Sequence, residues 1–398
     1  MRNLKNINNM ILNIIASVIP TFVLQLFINP YLAKYLSTDE YGLMVTLISV
    51  INIIPVTLGN SLNNIRLLLR KKYEERNLYG DFNILFCGMM IVNIVLVMVM
   101  YFVYAKSFGQ SILIIIMAVL FMFREYYTVL FLLEMNYFCV FISNILLTIG
   151  YIIGLFLVLC GMSWEYIYVI GYLISNIYII VTTKLWKESF KKTELFSLTL
   201  KEEGQYLIAC VLYRVTSYAD KMIIYPILGG MQVTVYYIAT ILGKVLALII
   251  TPISNVILSN LSKRTSSEGK KEFKVVLKYG FIICFVGYWI SVVVLPFVMS
   301  LLYPEYASEA QQYIYITTAT AMISLMITMV NPYVLRYFET KWQVRLNIIS
   351  VVVYLTFSIG GMMLFDLIGF CVGGCLASLC KLIVLIFVFF RAKMRTES

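Results

Sequence analysis

Four ionisable side chains stand inside a stretch where charge is costly. Between Gly204 and Arg264 the sequence reads as two long apolar helices joined at Gly229-Gly230, and Arg214, Asp220, Lys221 and Lys244 lie within them. A charge near the middle of a bilayer helix costs about 2.5–3.5 kcal/mol on insertion scales, so such groups face a protein interior or a wet cavity. Spacings of four and three put Arg214, Tyr218 and Lys221 on one helix face, with Asp220 about a third of a turn away. On the second helix Tyr237, Thr240, Lys244, Thr251 and Asn255 fall within a narrow arc, a polar stripe with a cation at its centre. Arg124-Glu125 sits near the middle of an earlier apolar segment.

Arg holds phosphate-type oxygens through paired donors and Lys acts as a point charge. Arg124, Arg214 and Lys244, with Lys221, Tyr237, Thr240 and Asn255 beside them, therefore suit a diphosphate and disfavour a cationic ligand. The competing reading is structural: Arg124 pairs with an acid elsewhere, or Arg214 pairs with Asp220. The two roles can coexist. Asp220 and Glu125 are the candidates for ion coupling. Lys381, flanked by Cys375, Leu379 and Ile383 with no polar stripe, reads as structural.

The elements that position these groups are membrane spans. Of 398 residues 61% are hydrophobic and only 13% charged, against about 25% charged in soluble domains. No soluble core could bury that much apolar surface. Apolar segments of spanning length fall at about 10–36, 40–69, 82–105, 110–133, 136–160, 164–185, 204–228, 230–262, 273–302, 307–337, 341–364 and 367–391, each reaching the roughly 20 residues a bilayer requires. The expected class is thus all-α, with about twelve transmembrane helices in two six-helix lobes, residues 1–185 and 204–398, joined by a cytoplasmic linker at 186–203. Pro20 is expected to bend the first span, and Pro55 lies inside the second. Ser37-Thr38-Asp39-Glu40 forms a turn that caps the second. The first segment is too long for the apolar region of a cleavable signal and has no small-residue cleavage site after it.

Loop charge orients the chain. With the N-terminus inside, 24 of the 31 Lys and Arg fall on cytoplasmic loops and helix ends, while Lys34 and Lys106 alone fall outside. Cytoplasmic loops carry the excess of Lys and Arg, so both termini are expected inside. The net charge of +11 is accounted for by these loops and does not call for nucleic acid. With no histidine there is no histidine metal site or proton relay. The eight cysteines, in apolar segments and never as CxxC, read as buried packing residues. Neither a metal nor a cofactor is expected. The 30 tyrosines fit interfacial belts at least as well as sugar stacking.

The halves repeat weakly. Tyr41-Gly42-Leu43, Pro55, Asn60 and Arg70-Lys71-Lys72 are echoed by Tyr236-Tyr237-Ile238, Pro252, Asn255 and Lys263-Arg264. An even number of spans per half makes the repeats parallel, and parallel repeats often enclose a substrate path.

These motifs carry a resemblance. Ser37-Thr38-Asp39-Glu40-Tyr41-Gly42, Asp220 followed by Ile223-Ile224 and Leu228-Gly229, Tyr236-Tyr237-Ile238-Ala239, and Thr251-Pro252-Ile253-Ser254 with Leu261-Ser262 resemble the polysaccharide exporters, the Wzx-type flippases of O-antigen or capsule repeat units. That family shares a superfamily, the multidrug/oligosaccharidyl-lipid/polysaccharide (MOP) exporters, with MATE drug exporters and the peptidoglycan-precursor flippases. The resemblance implies movement of an undecaprenyl-diphosphate-linked oligosaccharide from the cytoplasmic to the outer leaflet of the bacterial cytoplasmic (inner) membrane. It implies alternating access through a central cavity between two lobes. Partners would be the polyprenyl-diphosphate-linked glycan, membrane lipids, and a polysaccharide polymerase with assembly proteins, around a monomer.

Other classes fit less well. A polymerase or lipid-linked glycosyltransferase needs a substantial outer loop with catalytic groups, and every outer connection here is short. No P-loop is present, so the chain is not expected to hydrolyse ATP, and it reads as a transporter rather than an enzyme. A MATE-like ion-coupled antiporter of small solutes or drugs is the serious alternative, although it would favour acids in the first half, where only Glu125 sits deep. The topology is directly checkable. In a background lacking native cysteines, single cysteines in 186–203 or 263–272 should resist an impermeant thiol reagent in intact cells, while one at Gly229 or Gly230 should label. Labelling of the 263–272 loop from outside would reverse the orientation.

Overall fold

The computed structural model describes residues 18–105, 111–134, 136–183, 188–241, 266–337 and 340–391. Among them the chain is helical throughout, with no strand, as expected of a backbone that must satisfy its own hydrogen bonds in hydrocarbon. α1 (residues 18–35) contains a π-helical turn at Leu24–Ile28 one turn after Pro20 and continues as Asn29–Tyr35. There follow α2 (Thr38–Ile53), α3 (Pro55–Glu75), α4 (Asp81–Ala105), α5 (Ser111–Tyr127), α6 (Val129–Leu133), α7 (Tyr137–Leu159), α8 (Glu165–Thr182), α9 (Phe196–Leu228), α10 (Gly230–Ala239), α11 (Ser266–Leu302), α12 (Ala307–Gln311), α13 (Ile314–Tyr337) and α14 (Thr340–Arg391).

Eight stretches among the described residues are long and apolar enough to cross a membrane, and the chain is a multi-pass membrane protein. The stretch Arg345–Phe390 has 46 residues, about 69 Å of helix at 1.5 Å per residue and more than twice a bilayer's hydrocarbon thickness. It contains two spans. Phe365 and Asp366 leave helical geometry, Asp366 with φ 50°, and beyond them the second limb folds back so that Gly361 abuts Gly369 and Gly373 abuts Phe357. The break at 364–367 read from the sequence is where the hairpin turns. The second span breaks where Pro55, lacking an N–H, starts α3 after Ile54. α9 does not count among the eight because Arg214, Asp220 and Lys221 interrupt its apolar length.

The chain forms two compact units, Met1–Leu32 with Thr46–Met222, and Ala33–Val45 with Ile223–Ser398. In the first, Leu58, Leu62, Ile65, Leu69 and Tyr73 repeat at spacings of three and four along α3, giving one buried stripe. Phe82 and Phe86 of α4, Met122 and Tyr126 of α5, and Ile179 of α8 close over it. α7 and α8 lie backbone to backbone where Gly150 faces Gly171, the small-residue contact that lets membrane helices approach closely.

The described part of the linker is held to this unit by polar contacts. Asp81, fully buried, accepts from the Thr193 amide (2.7 Å), the Thr193 hydroxyl (2.5 Å) and the Tyr73 hydroxyl (2.7 Å). Arg66 donates to Glu188 (2.5 Å) and to the Tyr126 hydroxyl (2.8 Å), and Arg76 pairs with Glu194 at 2.8 Å. The polar run read as a loop up to Glu203 is helical from Phe196 onward.

The second unit takes in the turn between the first two spans. Ser37 and Glu40 make a capping box: the Ser37 amide and hydroxyl donate to the Glu40 carboxylate at 3.1 and 2.7 Å, and the Glu40 amide returns to the Ser37 hydroxyl at 3.4 Å. Beside it the Asp39 carboxylate accepts from the Met231 amide (3.1 Å), and the Thr38 carbonyl accepts from the Thr234 hydroxyl (2.9 Å). Gly42 faces the Gly230 backbone with no room for a side chain. The rest of this core stacks Phe273 on Phe389, ring centroids 3.7 Å apart, against Tyr333, Val330 and Leu385. The cysteines correct one expectation. Cys371 is buried, but Cys87 and Cys160 are exposed, as apolar groups on the outside of a membrane protein can be.

A Gly42→Leu substitution should therefore cost about 1–3 kcal/mol through overpacking, lowering the thermal midpoint in detergent. Gly88→Leu, where an added Cβ meets nothing within 4 Å, should leave the midpoint unchanged or raise it, since glycine is the poorer helix former. Equal midpoints for the two variants would contradict the close contact at Gly42.

Candidate functional site

The intramembrane charges of the first unit fall into three situations. Arg124 is caged. α5 delivers it between α7 and α8, where its Nε donates to the Ser175 hydroxyl (3.0 Å) and its Nη2 to the Asn144 side-chain oxygen (2.5 Å). Its guanidinium lies 5.7 Å from the centre of the Tyr172 ring, which itself stacks on Phe121 at 3.6 Å. Ser175 passes its own proton to the Ser143 carbonyl (3.1 Å). Glu125 stands 3.9 Å from Arg124 Nη1, within ion-pair range but beyond a hydrogen bond. Neutral acceptors thus hold the guanidinium, and the Glu125 carboxylate lies alongside. The backbone at Glu125 is pinned from α3, where Asn63 donates to its carbonyl at 2.9 Å and Gly59 lies against its Cβ.

Lys221 and Asp220 neutralise one another. Lys221 is buried, 3% exposed, and its Nζ contacts the Asp220 carboxylate, which also accepts from the Lys221 amide at 3.0 Å. The sequence offered Arg214 as the partner for Asp220. The structure gives that acid to its immediate neighbour, because a lysine stem is long enough to curl back past a third of a turn. Paired and buried, this couple avoids the penalty of two separate charges.

Arg214 is the third situation. It is half-buried, and its guanidinium lies 5.9 Å from the ring of Tyr218, four residues on. Among the described residues no acid pairs with it. The stacking is worth roughly 0.5–2 kcal/mol, and the guanidinium also hydrogen-bonds the Tyr218 hydroxyl, which leaves further donors of its fork without an acid. With Asp220 spent on Lys221, this arginine remains able to grip an anion through paired donors.

On α10, Tyr237 is buried, 6% exposed, edge-on to Tyr41 at 6.0 Å, and Thr240 caps the helix end by donating to the Tyr237 carbonyl at 3.0 Å. Lys244 and Asn255 lie outside the described residues, as do Thr251, Pro252 and the Lys263-Arg264 loop. The structure thus places Arg214, Asp220 and Lys221 along one helix, and Arg124 with Glu125 in a separate polar cage. Sequence reasoning missed Asn144, Ser175 and Tyr172, the groups that hold Arg124. They come from other helices, and nothing in their local spacing marks them. Lys381 lies on a small cavity walled by Leu346, Ile349, Ser350, Val353, Ala377, Cys380 and Val384.

No protein-family model matches the sequence, and no curated protein matches it. Solved structures do match in fold. The lipid II flippase MurJ, in an inward closed conformation, is similar with a TM-score of 0.69 at 14% identity, over 95% of this chain and 87% of that one. An inward-facing multidrug resistance MATE family transporter of the MOP superfamily gives 0.66 at 13%, over 95% and 98%. The Vibrio cholerae MATE transporter VcmN in its bent form gives 0.54 at 12%, over 98% and 96%. At these identities the likeness establishes the fold alone, the all-α multi-span architecture seen in the MurJ and MATE structures.

Proposed function

We propose that the protein is a flippase for a polyprenyl-diphosphate-linked oligosaccharide, carrying repeat units from the cytoplasmic to the outer leaflet for surface polysaccharide synthesis. The observation that supports this reading most is Arg214, a half-buried guanidinium with no acid partner among the described residues while the adjacent Asp220 is bound to Lys221. A cation kept in a membrane helix at a cost of about 2.5–3.5 kcal/mol, and left unneutralised, is suited to an anion that arrives with the substrate. A diphosphate presents paired oxygens that match the guanidinium fork. The fold shared with a lipid II flippase adds support, and Lys244 and the polar stripe of the eighth span are the further groups we assign to the substrate path, whereas Arg124 has its donors taken by Ser175 and Asn144. No cofactor is called for, because moving a headgroup across the bilayer makes and breaks no bond.

A second reading is a MATE-like antiporter of small solutes or drugs. The MATE structures match this fold nearly as well, and Glu125 and Asp220 are acids that could take a coupling ion. A cationic drug, however, is repelled by a free arginine and attracted by a free acid, and here it is the acid that is paired.

Arg214→Ala should leave protein level intact or raise it. Losing a charge-assisted contact worth about 1.5–3 kcal/mol should cut export roughly 10- to 100-fold, with surface glycan lost and the lipid-linked precursor accumulating inside. Arg214→Lys keeps the charge without the fork and should retain partial export. Surface polysaccharide and protein level measured together separate the cases. Normal export by a well-expressed Arg214→Ala protein would remove the arginine from the substrate path and favour the antiporter.

A further inference from the structure

At the cytoplasmic start of α9 a carboxyl group is buried without a cation. Glu203 is 1% exposed. One oxygen, Oε1, lies 2.5 Å from the Ser61 hydroxyl of α3, and the other, Oε2, is buried with no hydrogen-bond partner among the described residues. Ser61 Oγ also lies 3.1 Å from the Leu58 carbonyl. A serine hydroxyl has one proton to donate. If it goes to the backbone carbonyl, as helical serines commonly arrange, the 2.5 Å contact needs a proton on Glu203, which then donates to Ser61.

The charges around it agree. On α3 the nearby cation is Arg66, and its guanidinium is committed to Glu188 of the linker and Tyr126 of α5. Tyr126, from α5, feels the Glu203 charge, as do Tyr206 and Cys210 on α9 itself. Those three groups are neutral, and Lys201 and Glu202 point outward and are exposed. Arg66 is thus taken by Glu188, and among the described residues no cation pairs with Glu203. The 33 residues of α9 make about 50 Å of helix, longer than the hydrocarbon core, so Glu203 sits in its cytoplasmic overhang.

We propose that Glu203 is a proton-binding site that docks the cytoplasmic end of α9 on α3, the protonated carboxyl bonding to Ser61 and the ionised one releasing the contact. Burial pushes its pKa up to about 7; a Ser61 hydroxyl donating to the ionised carboxylate would oppose that shift, whereas one accepting from the protonated carboxyl does not. A raised carboxyl pKa in the docked state means docking is strongest when both states hold the proton, below the ordinary value near 4.5. It weakens as pH rises from there to about 7, by up to about tenfold in the docking equilibrium per pH unit, and then levels off. Cytoplasmic pH would thereby act on the helix that carries Arg214, Asp220 and Lys221. This inference stands whatever the transported substrate is.

Hydrogen exchange on the purified full chain tests it. At each pH the exchange of peptides covering 196–210 is compared between wild type and Glu203→Gln, whose amide can donate to Ser61 but cannot ionise, so the intrinsic pH dependence of exchange cancels. Wild-type protection should match the variant near pH 5, fall below it by up to about tenfold per unit toward pH 7, and stay low above. Parallel profiles across that range would overturn the proposal. Should Glu203→Gln not fold, infrared difference spectra of the wild type between about pH 5 and about pH 8 serve instead, with Ser61→Ala as the comparison. A protonated-carboxyl band that disappears on raising the pH and shifts in frequency in Ser61→Ala is expected. No such band, or one indifferent to Ser61, overturns the proposal.

Discussion

An ion taken out of water must find a partner, change its protonation or accept a large penalty, and the first unit of this protein is arranged around that constraint. Several of the buried charges there have distinct solutions. Lys221 curls onto Asp220 one residue away. Arg124 is held by an amide, a hydroxyl and an aromatic face from two neighbouring helices. Arg66 joins Glu188 and Tyr126 where the linker meets the membrane helices. Arg214 has Tyr218 beside it and, among the described residues, no acid, and a cation left so inside a membrane is where function is sought.

The same constraint explains how the polar segments are fastened. The linker does not drift as a solvated loop. Asp81 gathers three donors from Thr193 and Tyr73, so that a fully buried carboxylate has its oxygens occupied. The short turn between the first two spans is likewise closed on itself by the Ser37–Glu40 box and tied to α10 through Thr38 and Asp39. A loop motif that reads in the sequence as a helix cap proves also to be the place where the second unit takes hold of the N-terminal part of the chain.

Much of the scaffold was legible because hydropathy and length are local properties. The span limits at 82–105, 136–160 and 164–185 lie within a few residues of α4, α7 and α8, and the gap at 364–367 coincides with the non-helical Phe365-Asp366 turn. What was not legible depended on contacts between elements. The linker residues after Phe196 are helical because they dock on α3 and α4, which no local propensity records. Asp220 found Lys221 rather than Arg214, because helix-face geometry treats side chains as fixed spokes and a lysine is not one. The partners of Arg124 and the isolation of Glu203 rest on side chains about twenty to 140 residues away in sequence, and a single sequence carries no signal for them.

The claim at the centre of this account is that Arg214, in a membrane helix and without an acid partner among the described residues, serves a diphosphate headgroup. Reconstitution of the purified protein in vesicles tests it most directly. A fluorescent polyprenyl-diphosphate oligosaccharide is placed in one leaflet, and its crossing is read by its loss of protection from an impermeant quencher, beside a lipophilic cationic dye in the same vesicles. The account predicts that wild-type protein speeds the diphosphate lipid over protein-free vesicles, that Arg214→Ala loses most of the gain, and that the dye is not moved. Vesicles in which the dye is moved and the diphosphate lipid is not would contradict it.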